Sequence, residues 1–246
     1  LPIVHSFACF LSTRPNEQIY NNATEKPKII YVGSLAGILP AGPGHSHQSV
    51  RDISTLSSIP NLLMIQPSTE HEVKLALDYC ININKGSSYI RLVSIPTPVP
   101  FSLTNIGKLA KGKGNTIIDG KDCLVFSYGP TMLTEAYKAA KSLEDVGIGV
   151  KLINLPWLNN IDLNWLKSQT DGFNKIITID DHYIIGGQGD MILSAISSLN
   201  NKHPVHCLKI GVESVPECGT NDEVLAAHGL DSNSLHKRIE SFINSK

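Results

Sequence analysis

The sequence predicts an α/β fold made of two αβ units with mainly parallel sheets. Short apolar runs of strand length alternate with longer segments of helical period, which is typical of parallel strands joined by crossover helices. The 246 residues suit one large domain or two medium-sized ones. A stretch rich in proline, glycine and lysine interrupts the alternation near the middle. We therefore predict one unit at residues 1–100, a linker at 101–118 and a second unit at 119–246.

The first unit alternates strands and helices in order. Four runs predict strands: residues 2–7, 28–33, 61–67 and 88–94. Three segments between them predict helices: residues 14–24, 47–56 and 68–84. Ser68 and Thr69 are suitable N-caps, and Glu72 completes a capping box with Thr69. The first run, LPIVHSFACFL, predicts a buried strand leading into a loop. Because the chain starts there with Leu1, we expect further sequence upstream.

The second unit repeats the alternation after the linker. Its predicted strands are residues 123–129, 149–158, 174–181 and 205–212. Two of its predicted helices span residues 131–146 and 162–170. A third begins at GGQGD and ends at Leu199, and two more helices follow at the end of the chain. The chain contains no internal repeat and no low-complexity tract.

Composition narrows the classes of function. The 21 basic and 22 acidic side chains give a net charge of -1, which argues against a nucleic-acid partner. No apolar run approaches the roughly 20 residues of a membrane span, and no signal peptide is visible. The five cysteines are scattered and form no C-x-x-C pair, which favours free thiols and a cytoplasmic protein.

The loop GPGHSHQ (residues 42–48) holds the first candidate residues, His45 and His47. Metal binding is one interpretation, but no third ligand stands at a familiar spacing. A phosphate cradle is a second, although the Lys and Ser/Thr of a P-loop are missing. A tight turn with two exposed histidines and a proton-transferring histidine remain the other interpretations.

Three further features allow both a structural and a functional interpretation. GGQG (186–189) falls short of the dinucleotide-binding pattern, so close packing of a tight turn is favoured. The cluster of Asp180, Asp181 and His182 fits a catalytic site, a solvated edge or an interface. Arg91 lies inside an apolar run, where a buried guanidinium needs an anionic partner that a phosphate or carboxylate ligand would supply.

Taken in order, these motifs resemble one known family. The run from IIYVGS through GPGHSHQSVRDISTLSSIPNLLMIQPSTEHEVKLAL to SSYIRL is similar to the second half of the pyrimidine-binding domain of transketolase-type, thiamine-diphosphate-dependent enzymes. SYGPTMLTEAYKAAKSLEDVGIGVKLINLPWL, TIDDH, GGQGD and AAHGLD are similar to the C-terminal domain of the same family. The resemblance covers nearly the whole chain and preserves the order of the motifs. It implies a partial pyrimidine-binding domain followed by a transketolase C-terminal-type αβ domain.

The resemblance implies roles for four residues near the cofactor. His47 matches a histidine that faces the substrate, and we expect it to be the catalytic residue. Phe7 and Phe10 match aromatic residues that wall the aminopyrimidine ring, and their apolar faces would exclude water from it. Arg14 matches, with an offset of one residue, an arginine that contacts the same ring.

The resemblance also implies residues that bind substrate, together with two departures. Arg91 matches an arginine that holds a sugar-phosphate substrate. Pro43 stands where the family has an acidic residue, and Leu35 stands where it has a polar one. Both positions contact sugar hydroxyls in the family, so the usual ketose phosphates are in doubt. His45 is an additional histidine that would replace one of those contacts.

The implied function is the C-terminal portion, or a split subunit, of a transferase that moves a two-carbon ketol or acyl unit. The implied cofactors are thiamine diphosphate and Mg²⁺, with the metal ligands on another domain, because the sequence contains no Gly-Asp-Gly motif. The glutamate that activates the pyrimidine would lie upstream of Leu1, so this chain alone is an incomplete catalyst.

The implied partners are a second copy of the chain or a complementary N-terminal subunit, and a small sugar or keto acid as substrate. We expect no chemistry from the C-terminal unit and assign its helices and its TIDDH–GGQGD edge to the dimer. One alternative is a non-catalytic assembly module that retains the fold. Another is a metal-dependent hydrolase using His45 and His47.

Overall fold

The first unit contains a four-stranded parallel sheet. The computed structural model describes residues 1–199 and 204–245. The strands are β1 (Ile3–Phe7), β2 (Ile30–Ser34), β3 (Leu63–Ile65) and β4 (Ser88–Arg91), in the order β1-β2-β4-β3. The helices are α1 (Ala8–Leu11), α2 (Asn16–Glu25), α3 (Asp52–Ser57) and α4 (Glu70–Asp78), which continues into a π-helical turn, Tyr79–Ile83. Because every strand pair is parallel, all carboxyl ends meet at one edge of the sheet.

The second unit contains a five-stranded sheet. Its strands are β5 (Asn115–Ile118), β6 (Cys123–Ser127), β7 (Val150–Asn154), β8 (Lys175–Tyr183) and β9 (His206–Val212). They lie in the order β5-β7-β6-β8-β9, with β5 antiparallel and the others parallel. The helices are α5 (Pro130–Glu144), α6 (Leu163–Thr170), α7 (Gln188–Ser197), α8 (Asn221–Ala227) and α9 (Ser232–Asn244). The predicted α/β class with two mainly parallel sheets is confirmed.

Three local predictions differ from the structure. The stretch 101–118 contains β5, which pairs with β7, so part of the expected linker belongs to the second sheet. The helix expected over 47–56 begins only at Asp52, because Ser49 exchanges two backbone hydrogen bonds with Gly37, of 3.0 and 2.8 Å. The first strand is not buried: β1 lies at the sheet edge with Ile3 57% exposed, and it runs directly into α1 rather than into a loop.

The predicted start of α4 is confirmed in part. Thr69 is the N-cap, and its hydroxyl accepts a hydrogen bond from the Glu72 amide at 3.2 Å. The Glu72 carboxylate does not return to Thr69. It accepts the Ser68 amide instead, at 2.7 Å.

The helices and the cysteines agree with what the composition predicts. No helix within residues 1–199 or 204–245 is both long and apolar enough to cross a bilayer. All five cysteines are free thiols, with Cys218 the exposed one.

The two units are joined by backbone pairing and a shared core. The Gln66 amide donates to the Pro156 carbonyl at 2.8 Å, and the Leu158 amide donates to the Met64 carbonyl at 2.9 Å. These bonds extend the β3 edge of the first sheet with a segment of the second unit. Trp157, which is fully buried, packs in a core cluster that contains residues of both units. The sheets therefore form one packed body, not two separated domains.

A buried carboxyl group crosses this junction. The Glu72 side chain accepts the Ser68 amide and, at 2.9 Å, the side-chain amide of Asn154 on β7. The Ser68 hydroxyl donates to the side-chain oxygen of Asn154 at 3.0 Å, which closes the network. Burial raises the pKa of Glu72 to about 7 from an ordinary 4.5, although these hydrogen bonds act to lower it.

We expect Glu72→Gln to remove a pH dependence of stability. Between about pH 4.5 and pH 7 the unfolded chain loses the Glu72 proton while the native chain keeps it, so ionisation favours unfolding as the pH rises. The free energy of unfolding of the natural chain, minus that of the variant, should fall by roughly 3 kcal/mol across this window. Urea denaturation at a series of pH values measures it. Glu70→Gln, at an exposed position on the same helix, should leave the slope in place. A pH-independent difference for Glu72→Gln would contradict the assignment.

Candidate functional site

The candidate residues near the cofactor meet at the carboxyl edge of the first sheet. Phe7 ends β1, Phe10 follows on α1, and His47 comes from the loop after β2. The ring centroids of Phe7 and Phe10 are 5.9 Å apart, and His47 lies 5.2 Å from Phe10 and 6.0 Å from Phe7. The Arg14 guanidinium lies over the Phe10 ring, 3.9 Å from its centroid. The structure thus brings together four residues that the sequence places in two separate segments.

The loop that carries His47 is held by short-range turns and by the second unit. Gly37 and Gly44 adopt φ values of 91° and 82°, and the Gly44 carbonyl accepts the His47 amide at 2.9 Å. A Cβ at Gly37 would collide with the Asp181 carboxylate. The Gln48 side chain donates to the carbonyls of Ile38 and Glu217, both at 3.0 Å. The position of the histidines is therefore set by contacts to both units.

A cavity of about 550 Å³ opens beside these aromatic rings. The first unit contributes Phe10, Arg14, His45 and Arg51 to its lining, and the second unit contributes Tyr183, Val215 and Pro216. Phe7 and His47 contact Phe10 but do not line the cavity. This volume suits a small-molecule ligand.

The electrostatic character of this cavity is cationic. Arg14 and Arg51 are exposed, and no ion pair involves either guanidinium among the described residues. The lining includes no carboxylate. Two unpaired guanidinium groups beside a histidine fit a carboxylate or phosphate group of a ligand.

Arg91 does not occupy the expected position in the site. It is the last residue of β4, but its side chain is completely buried. Its Nε donates to Asp52 at 2.8 Å, and its terminal nitrogens donate to Gln66 and to the carbonyls of Ser49 and Asp181. The anionic partner that the sequence requires is therefore internal, and the predicted substrate contact of Arg91 is incompatible with this geometry.

The carboxylates around Arg91 have opposite pKa shifts. Burial acts to raise the pKa of Asp52, but the charge and hydrogen bond of Arg91 outweigh it, so the pKa lies below its ordinary value. Burial raises the pKa of Asp181 to about 6, and the Arg91 guanidinium at 3.5 Å only partly opposes this. The Tyr89 hydroxyl donates to Asp52 at 2.7 Å. Arg91 and Asp52 thus form the ionised pair at the centre of the cluster.

The Asp180–His182 cluster is a buried junction within the chain. Asp180, Asp181 and His182 are at most 1% exposed. The Asp181 carboxylate accepts the Ile38 amide at 2.9 Å, and His182 Nε2 accepts the Ser54 amide at 3.3 Å. The His182 Nδ1–H donates to the Tyr183 carbonyl, so the ring is neutral, in line with a pKa that burial lowers. Asp180, Asp181 and His182 therefore contact the first unit of the same chain, and the expected dimer role of the TIDDH–GGQGD edge stays a prediction.

The structural interpretation of GGQG is confirmed. A Cβ at Gly187 would lie 2.8 Å from an Asp180 oxygen, and one at Gly189 would lie 2.5 Å from the Thr178 hydroxyl oxygen. The Gln188 and Gly189 amides donate to Asp180, at 2.8 and 2.9 Å. The glycines permit close packing around a buried carboxyl group.

Leu35 stands out at the start of the loop after β2. It adopts φ = 52°, a left-handed conformation that a leucine rarely takes. Its amide donates to the Ser94 hydroxyl at 3.0 Å, which helps to hold this conformation. Strained residues of this kind concentrate at ligand sites. The position at which this chain has leucine where the family has a polar residue is therefore also one with a strained backbone, which the hydrogen bond to Ser94 helps to hold.

The chain fits one half of the implied cofactor. The exposed Phe7 ring (37% exposed) beside Phe10 offers the apolar surface that an aromatic heterocycle needs. The described residues contain no group of three His, Cys, Asp or Glu side chains that could hold a metal ion, including around His45 and His47. An apolar surface that fits an aromatic ring is thus present, and the described part of the chain contains no cluster of His, Cys, Asp or Glu side chains that fits a metal-bound diphosphate.

Sequence reasoning missed several cavity residues. Arg51 lies three residues after the histidine loop, and an arginine next to a candidate loop is the one signal that could have identified it. Val215 and Pro216 come from a distant part of the second unit. No local pattern distinguishes them from an ordinary loop after a strand.

Two family models match the chain. The model described as transketolase, pyrimidine binding domain, matches residues 1–94. The model described as transketolase, C-terminal domain, matches residues 112–235. The two matches follow the order of the two sheets.

Curated relatives include both short and long proteins. The chain is 32% identical over 242 residues to a transketolase C-terminal section of Methanocaldococcus jannaschii, covering 95% of this chain and 72% of that protein. It is 27% identical to one subunit of the apulose-4-phosphate transketolase of Phocaeicola vulgatus, covering 96% of this chain and 74% of that subunit. It is also 27% identical to 1-deoxy-D-xylulose-5-phosphate synthase of Escherichia coli, but it spans only 38% of that protein.

Solved structures share the fold. A split-gene transketolase, solved as an inactive beta4 tetramer, superposes with a TM-score of 0.84 at 26% identity, covering 98% of this chain and 75% of that one. A transketolase of Pichia stipitis superposes with a TM-score of 0.81 at 18% identity, covering 98% of this chain and 34% of that one.

We expect Arg91→Ala to destabilise the fold. The substitution leaves Asp52 and Asp181 buried without their cation, which costs about 3–5 kcal/mol of unfolding free energy. Urea denaturation at pH 7 measures the change. Arg51→Ala, at an exposed arginine without an ion pair in the described structure, should change stability by less than about 0.5 kcal/mol. Equal midpoints for Arg91→Ala and the natural chain would refute the structural role.

Proposed function

The chain belongs to the transketolase family, and we propose that it is the C-terminal section or split subunit of a thiamine-diphosphate-dependent transferase of two-carbon ketol or acyl units. The observation that carries this proposal is the cluster of Phe7, Phe10 and His47 at the carboxyl edge of the first sheet, next to a cationic cavity. Ligands of open parallel sheets bind at this edge.

The aromatic side chains would form one wall of the pyrimidine pocket. When bound, thiamine diphosphate supplies a thiazolium carbon that accepts the two-carbon unit. Phe7 presents its exposed ring to the pyrimidine, while Phe10 is engaged by Arg14 and His47 and supports Phe7 from behind. Arg14 would act on the ring pocket indirectly, by holding Phe10. These side chains exclude water and orient the heterocycle.

His47 would transfer protons at a substrate oxygen. Its Nδ1 lies 3.0 Å from the Ser46 hydroxyl, which orients the imidazole ring. Its Nε2 has no hydrogen-bond partner among the described residues and is the atom available to a substrate hydroxyl or carbonyl oxygen. A histidine with one nitrogen held and the other free suits a general acid or base.

Arg51 and Arg14, with His45, would hold the anionic group of the substrate. All three line the cavity, and neither guanidinium has a carboxylate partner in the described structure. These side chains are accessible to a ligand, whereas Arg91 is buried. We therefore assign to them the contact with the substrate anion that the sequence predicts for Arg91. Tyr183 of the second unit lines the same cavity and would contribute to substrate selection.

A complementary chain would provide the diphosphate half of the site. The relative from Phocaeicola vulgatus is named as a subunit of its transketolase, and the tetramer structure is named as a split-gene transketolase. We propose either such a complementary subunit or a further domain of the same polypeptide as the source of the Mg²⁺ ligands, with the site completed between chains.

A non-catalytic assembly module is the second candidate. Pro43 and Leu35 favour it, because they remove two polar positions from the substrate side. The exposed cationic cavity and the intact aromatic cluster favour the enzyme instead, since an assembly role requires neither.

Activity tests the enzyme proposal directly. In a complete enzyme, reconstituted with a subunit that carries the diphosphate-binding domain and with the segment that carries the activating glutamate, His47→Ala should lower turnover by about 10²-fold or more. Turnover at saturating substrate is the measurement. His206→Ala, at an exposed position on β9, is the matched control and should retain full turnover. Unchanged turnover for His47→Ala would exclude the proton-transfer role, and no turnover in any reconstitution would favour the assembly module.

The substrate role of Arg51 predicts a specific kinetic signature. Arg51→Ala should raise the KM of a phosphorylated or carboxylated substrate by about tenfold or more, because one charge-assisted contact is lost. Its effect on an uncharged ketol substrate should be small. Steady-state kinetics with both substrate types gives the comparison, and Arg51→Lys should recover part of the affinity. An equal rise in KM for charged and uncharged substrates would rule out anion binding.

A further inference from the structure

A second cavity lies at the opposite, amino-terminal edge of the first sheet. Its volume is about 790 Å³. Its walls come from the end of α2, the turns that precede β3 and β4, and the segment 159–160 of the second unit. We call this cavity the lysine cleft, after Lys26, Lys85 and Lys111, which line it. Neither the cofactor nor the substrate proposed above requires it.

The charge of the lysine cleft is uniformly positive. The three lysines are exposed, and no ion pair involves any of them in the described residues. Asparagine, serine and tyrosine side chains line the rest of the polar surface, and the lining contains no carboxylate. Elsewhere on the surface lysines pair with neighbouring acids, as Lys74 does with Glu70 at 2.9 Å. Three unpaired ammonium groups around one concavity attract a polyanion.

The backbone at the cleft is held in unusual conformations. Lys26 directly follows the last residue of α2 and has φ = 59°, and Asn61 precedes β3 with φ = 60°. Left-handed helix ends are normally glycine, which adopts this conformation without strain. A lysine at this position keeps a cation on the cleft wall at a conformational cost. Asn61, whose residue type tolerates the conformation, faces the same cavity.

The cleft also has an apolar floor. Ile19, Ile59 and Leu62 are buried and line it, together with the ring of Tyr79. A bare phosphate ion would leave most of this floor and of the 790 Å³ unfilled. A ligand that joins phosphate groups to an aromatic or apolar body would use both the lysines and the floor.

We propose that the lysine cleft binds a phosphorylated small molecule with an aromatic body, of the nucleoside diphosphate class. The ligand would bridge the two units, because Lys26 and Lys85 lie in the first unit, before β2 and β4, whereas Lys111 and Asn160 come after the first sheet in sequence. Its site lies at the sheet edge opposite to the candidate catalytic site. Binding there would therefore not compete with cofactor or substrate.

Titration calorimetry with ADP tests the proposal, with adenosine as the uncharged reference. ADP should bind the full chain saturably and at least about tenfold more tightly than adenosine. The triple variant Lys26→Ala, Lys85→Ala, Lys111→Ala should weaken ADP binding by at least about tenfold. The matched control Lys108→Ala, Lys121→Ala, Lys237→Ala removes three exposed lysines outside the cleft and should bind like the natural chain. Amide resonances of Ser58 and Gly86 should shift on addition of ADP.

Several results would overturn the proposal. Absence of saturable ADP binding would do so, as would equal weakening in both triple variants, which would indicate only a net-charge effect. Loss of binding in the double variant Arg14→Ala, Arg51→Ala, with retention in the cleft variant, would place ADP in the candidate catalytic site instead. Because calorimetry needs no turnover, the result is independent of whether the enzyme proposal stands.

Discussion

The buried guanidinium of Arg91 is the interaction on which the arrangement of this chain depends. It joins the end of β4 to Asp52 at the start of α3 and to Asp181 near the end of β8, so one side chain connects the sheet, the histidine loop and the second unit. Removing an ion from water costs several kcal/mol, and here two carboxylates, two carbonyls and the Gln66 amide oxygen compensate for it. Both carboxylates accept a further hydrogen bond, Asp52 from the Tyr89 hydroxyl and Asp181 from the Ile38 amide. Movement of any of them would expose a buried charge to an apolar core, so the ion cluster restricts the units to this relative position.

The candidate site is built on top of this rigid layer. Asp181 also fixes the loop, because its carboxylate accepts the Ile38 amide, and Ile38 packs in the core of the second unit. The loop that follows presents His45 and His47 at the edge where β1 delivers Phe7. The precision that a catalytic side chain needs therefore comes from buried neighbours that never contact a ligand. Arg91 therefore stabilises the candidate site from the buried layer beneath it, although the sequence predicts that it contacts the substrate.

The sequence could predict the elements but not the partners across long separations. Alternating apolar runs predict both sheets, and the cap at Thr69 is a local signal. The strand β5 is not predicted because it has only four residues and lies next to glycines. Residues 47–51 do not form a helix because Ser49 is hydrogen-bonded to the backbone of Gly37.

The sequence predicts that the buried guanidinium of Arg91 needs an anionic partner, and the structure provides one. Asp52 lies 39 positions away, however, so spacing cannot distinguish an internal carboxylate from a ligand. The grouping of Phe7, Phe10, Arg14, His45 and His47 came from the family resemblance, not from their spacing.

A net charge near zero conceals how the charges are distributed. Many acids are committed to exposed pairs on helices, such as Glu144 with Lys141, or to the buried cluster around Arg91. In both large concavities described above, the charged groups of the lining are consequently cations: arginines at the carboxyl edge of the first sheet, and lysines at its amino edge. Low-dielectric walls strengthen such local fields, whereas a charge balanced elsewhere on the surface is screened within about 10 Å. The composition therefore argues against an extended basic face for nucleic acid, yet it is fully compatible with two separate sites for small anions.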